Sequence, residues 1–165
     1  MRAARYIAVL VGLFSFVAGC TSLSPSKARA SDVYATIIRS FATQAEHEPP
    51  LKVFVETRGE GSSISVDVQA EVVTAVEAVA EVRFIDARSE ALEESEPGIF
   101  VVRDDGILLA FGPVPNDASD LVVEVDQYIK DTLLAAHRFV MRSSGDEWTI
   151  DDASVTYEPI TPDEP

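Results

Sequence analysis

The chain has 165 residues, with 28 acidic and 13 basic side chains, a formal charge of −15 and one cysteine. A surface this negative is repelled by phosphate backbones and anionic headgroups, which excludes nucleic-acid binding and electrostatic docking to a membrane as leading functions. The length suits one domain with a real core, and a lone cysteine excludes an internal disulfide.

Arg2 and Arg5 precede an uncharged apolar run over residues 6–18. That is the layout of a signal peptide, and the run is too short for the roughly 20 residues a membrane-spanning helix needs. It ends in Val17-Ala18-Gly19-Cys20. Small residues let the backbone thread extended into a peptidase cleft, and a thiol is the group there nucleophilic enough to be alkylated. These residues resemble the lipobox of bacterial lipoproteins. The resemblance implies cleavage before Cys20, attachment of a diacylglyceryl group with palmitate-like chains to its sulfur, and residence in the cell envelope. The protein would then sit on the outer side of the cytoplasmic membrane or in the outer membrane, held by its lipid, since two or more acyl chains anchor stably. The alternative is ordinary secretion with cleavage after Ala28-Arg29-Ala30.

Without residues 1–19, which contain Arg2 and Arg5, the remaining 11 basic and 28 acidic residues carry a formal charge of −17. Residues 20–31 read as a flexible tether spanning roughly 18 Å. Residues 32–156 read as a single folded domain, and residues 157–165, with three prolines and three acids, as a frayed acidic tail.

Within the domain, Val33, Ile37 and Phe41, with Tyr34 and Ile38, fall on one face of a helix over residues 32–44. Residues 51–56 suggest a strand and residues 57–63 a glycine-bearing loop. Val68, Val72, Val76 and Val79 mark a second helix over residues 66–79. A strand follows at residues 81–86, then an acidic irregular stretch or short helix that Pro97-Gly98 ends. Residues 99–103 and 107–111 are apolar runs around Asp104-Asp105-Gly106, which predicts a hairpin. Residues 121–129 alternate strictly, residues 133–141 answer them, and Gly145 introduces a last strand with Trp148 and Ile150.

The fold class expected is α+β, an antiparallel sheet with a meander over residues 121–150 packed by the two helices of the first half. The paired strands ending in a tryptophan-bearing strand resemble the cone-shaped nuclear-transport-factor-like domains, although the strand at residues 51–56 departs from that family's helix-first order. This resemblance implies a pocket under a curved sheet.

No cofactor is expected. Zinc needs clustered His or Cys, and only His47, His137 and Cys20 are on offer. Asp104-Asp105, Asp151-Asp152 and Glu93-Glu94-Ser95-Glu96 lack the alternation of a calcium loop and read as solvated turns. Gly59-Glu60-Gly61-Ser62-Ser63 is not a serine-nucleophile elbow. If a pocket exists, Gln127, His137 and Trp148 are its polar or amphipathic groups; the alternative is that Gln127 and His137 bond only to each other. His47 reads as exposed. The expectation for function is a non-enzymatic domain that binds a protein or envelope component. The alternatives are a small-ligand carrier, or an enzyme built on carboxylates such as Asp67 or Asp126.

Overall fold

The computed structural model of the chain describes residues 23–45, 50–59, 63–115, 120–130, 133–145 and 147–159. The residues read as a signal peptide and lipobox with Cys20, His47, and residues 160–165 of the expected tail lie outside them.

Helix α1, Pro25–Gln44, begins well inside the stretch expected to be tether. Residues 25–31 are its first two turns instead. Pro25 at the start of the helix has its φ preset, and Ala28 and Ala30 are the best helix formers. Burial then decides the matter: Ala30 packs on the core, and Ser31 is buried with its hydroxyl donating to the Ala28 carbonyl at 2.8 Å. Further along, Val33, Tyr34, Ile37 and Ile38 face the sheet as their spacing predicts.

Strand β1, Leu51–Thr57, leads through α2, Val66–Val76, to β2, Ala80–Phe84. Val68, Val72 and Val76 are the buried stripe of α2, which stops at Val76 because the Val79 amide turns back to the Val76 carbonyl. A helical crossover returns the chain in the same direction, so β1 and β2 are parallel, with Val53 opposite Val82.

The acidic stretch forms a single 3-10 turn, Arg88–Glu90, and a strand β3, Leu92–Glu96, which pairs antiparallel with β4, Ile99–Val102, around Pro97-Gly98. The hairpin expected around Asp104-Asp105-Gly106 is therefore not formed. That segment is a corner in which Asp104 and Asp105 take positive φ, and it delivers β5, Ile107–Phe111, to the far side of β1, again parallel. The reason is burial: four consecutive residues of β5, Leu108 to Phe111, are buried, which requires cover on both faces. A two-stranded hairpin offers none.

Strands β6, Asp120–Lys130, β7, Leu133–Ser144, and β8, Glu147–Pro159, complete an antiparallel meander. The sheet order is β2-β1-β5-β6-β7-β8. The α+β class holds, with the correction that three strands at one side run parallel. Residues 157–159, expected to fray, are paired in β8, with Tyr157 opposite Ala135.

Both helices cover one face, burying Ile37, Ile38, Val53, Val55, Val72, Leu109, Phe111, Val123, Phe139 and Met141 between them and the sheet. Each such side chain stabilises the fold by about 1.5–3 kcal/mol relative to exposure. The β3–β4 hairpin lies over the other face, where Phe54, Leu108 and Tyr128 meet Leu92 and Val102. The chain thus crosses from β1 to β2 on one face and from β2 to β5 on the other. Among the described residues no helix is long and apolar enough to cross a membrane.

Candidate functional site

On the helix-covered face, register sets the side chains of β6, β7 and β8 in rows: Val123, Phe139 and Ala153, then Val125, His137 and Val155, then Gln127, Ala135 and Tyr157. Helix α1 covers Val123 and Phe139 of the first row and reaches His137 in the second, while Ala153 is exposed. Its Phe41 ring meets the His137 ring edge-on at 4.9 Å and Phe139 at 5.9 Å. The helix ends three residues later, at Gln44, so it does not reach over the outer part of the rows. Ile129, Val155 and Tyr157 are 44%, 47% and 64% exposed there. The result is an apolar shelf with one polar pair set into it.

That pair is Gln127 and His137, joined Nε2 to Oε1 at 3.1 Å. The contact makes Nε2–H the donor and the Gln127 carbonyl oxygen the acceptor. Burial holds the His137 pKa below its ordinary value, so the ring is neutral at neutral pH. Two polar groups that satisfy each other can sit among apolar neighbours at little cost. The bond between them, the simpler of the two sequence readings, is what the structure contains.

Trp148 does not join them. It sits opposite Ser143, seven residues along β8 from the partner of His137, which is roughly 20 Å at strand rise. There its carbonyl accepts from Thr36 Oγ1 at 3.3 Å and Arg29 lies over the indole at 5.9 Å. With Asp32, Ala35 and Arg39 it lines a shallow depression beside α1.

Sequence reasoning missed a crevice of about 160 Å³ at the carboxyl end of β1, lined by Tyr34, Ile64, Val68, Phe111, Gly112 and Val114. The Tyr34 hydroxyl donates to the Gly112 carbonyl at 3.3 Å, and its ring meets Phe111 edge-on. A Cβ at Gly112 would lie 3.1 Å from the Glu124 carbonyl, so a side chain there would press on the backbone of β6. The place lies beyond the carboxyl ends of the parallel pair β1 and β5, and open sheets with parallel strands bind ligands outside the carboxyl ends of their strands. No local pattern marks it, because it depends on β1 lying between β2 and β5.

The face opposite the helices carries a charged row: Glu56, Ala110, Asp126, Ala136 and Thr156 are adjacent by register. Arg88 binds Glu56, and Arg58 reaches Glu124 at 2.8 Å and Asp126 at 3.2 Å. Burial raises the Asp126 pKa, and Arg58 opposes the rise. Both half-buried carboxylates are thus held by guanidinium groups. Asp67, the other candidate acid, is exposed at the start of α2 and paired with Lys27 at 2.7 Å.

Comparison with known protein families, with curated proteins and with solved structures returns no match.

Proposed function

We propose that this protein is an exported lipoprotein, anchored through Cys20, whose domain binds a protein or envelope component without catalysing a reaction. The observation that carries the binding part is the uncovered shelf of Ile129, Val155 and Tyr157 around the Gln127–His137 pair. Soluble domains seldom leave contiguous large apolar side chains open unless something covers them.

The position of the shelf supports the reading. Four residues lie between Cys20 and Pro25, and the five steps from one to the other reach at most about 18 Å. A helix of 20 residues is about 30 Å long. A lipid on Cys20 would hold the amino end of α1 near the headgroups and direct the shelf, beyond its other end, away from the bilayer.

The test is intact mass and detergent partitioning of the protein from its own host beside a Cys20→Ala variant, with retention of envelope components by the wild type and a Tyr157→Glu variant. A lipid-sized mass gain that the Cys20→Ala variant loses is expected, together with weaker retention by Tyr157→Glu. An unmodified, freely secreted chain would sink the anchor; turnover of a substrate by the soluble domain would sink the binding role.

A small-ligand carrier is the second reading, favoured by the crevice at Tyr34 and Phe111. Filling it with Val68→Phe should abolish ligand uptake seen by native mass spectrometry. A wild-type protein that carries nothing from its host removes this reading.

A further inference from the structure

Strand β8 is the last in the sheet order, and no described strand pairs with its outer edge. Every residue from Asp151 to Glu158 is exposed, on both faces. This half of the strand is held through its ladder with β7, and no described strand pairs with the backbone donors and acceptors on its other side, where the Ala153 amide donates to the Asp152 carboxylate at 2.9 Å. Its side chains divide by face: Ala153, Val155 and Tyr157 continue the apolar shelf, whereas Asp152, Ser154, Thr156 and Glu158 point to the opposite side.

Charge narrows what can pair there. β8 holds Glu147, Asp151, Asp152 and Glu158 and no lysine or arginine. Asp151 is bound by Arg142 at 2.8 Å, while Asp152 and Glu158 have no basic partner among the described residues. A second copy adding its own β8 would set carboxylates against carboxylates, which is destabilising across a strand pair. Free strand edges are ordinarily blunted by lysine or proline, and the exposed stretch of β8 has neither. An acidic edge rejects its own kind and leaves a basic strand welcome.

We propose that β8 takes an extended polypeptide segment of alternating apolar and basic residues as a further strand of the sheet. Apolar side chains of the added strand would lie beside Val155 and Tyr157 on the shelf face, and basic ones beside Asp152 and Glu158 on the other. Backbone hydrogen bonds supply affinity, and the alternation supplies specificity. This rests on the binding role above and adds the surface and the chemistry of the partner.

The experiment uses the full chain and three short synthetic peptides: one alternating Val and Lys, one with those residues in two blocks, and one alternating Val and Glu. Affinity is read by titration, and contact by amide hydrogen exchange along the chain. The alternating Val–Lys peptide should bind best and protect the amides of residues 153–158. Val155→Lys with Tyr157→Lys should weaken it about tenfold or more, as inward-pointing lysines do at edges. Asp152→Asn with Glu158→Gln should weaken it and lessen its salt dependence. These positions are exposed, and unchanged melting would verify that the variants fold. Equal binding of the blocked peptide without protection in β8 would mean diffuse attraction to an acidic protein and would overturn the proposal, as would no binding. Binding with protection elsewhere would overturn it too, while leaving the broader binding role in place.

Discussion

His137 is an uncommon feature in this chain, a titratable group packed between Phe41 and Phe139 whose hydrogen-bonding partner is neutral. Because burial lowers its pKa, the unfolded chain takes up a proton at a higher pH than the folded one does. Stability should therefore fall as pH drops through about 6.5, and level off once the folded ring is also protonated. Asp32 and Asp126 act in the opposite sense at lower pH, since burial raises their pKa and the folded state binds those protons first. Denaturant melts over this range should show the near-neutral decline in the wild type and lose it in His137→Phe, which keeps a ring against Phe41. A decline that survives the substitution would mean another group is responsible. Gln127 and His137 were legible as a pair because both break an apolar alternation at matching parity. Trp148 shares their face, but how far along the strand it falls depends on register and on the bulge in β8.

At the scale of elements, what was legible was what repeats locally. Val68, Val72 and Val76 of α2 and Leu121, Val123 and Val125 of β6 are buried as their period predicts, whereas Val79 falls beyond the helix and Ile129, past the end of α1, is exposed. The start of α1 was not legible, since residues 25–31 are polar enough to read as tether and become helical through packing. The corner between β4 and β5 was misread for a related reason: Pro97-Gly98 and Asp104-Asp105-Gly106 are both turn signals, and only tertiary burial chooses between them. Gly106 tests this junction. A Cβ there would lie 2.7 Å from the Lys52 carbonyl and 3.1 Å from the Arg103 carbonyl, both backbone groups that cannot swing aside. Gly106→Ala should destabilise by about 1–3 kcal/mol in equilibrium denaturation. A neutral result would show that β5 can shift along β1 without loss.

For the molecule as a whole, the dominant electrostatic fact is the net charge of −15. The ion pairs are mostly solvent-exposed, and such pairs contribute about 0–1 kcal/mol each. Self-repulsion should outweigh them, so added salt at neutral pH should raise the melting temperature. A fall on adding salt would mean that the Arg58 and Arg88 clusters contribute more than the repulsion removes.

The sequence by itself determined the charge, the amphipathic faces of the helices and the meander strands, and the lipobox-like run ending at Cys20. These are local or compositional properties, carried by residues a few positions apart. Tertiary structure alone decided that β1 lies between two parallel neighbours, that α1 stops short of the third row of the meander, and that no described strand pairs with the outer edge of β8. Those outcomes depend on which distant segments pair and how far each element reaches over the sheet, and hydrophobic periodicity encodes the face a residue takes without naming the strand that will lie beside it.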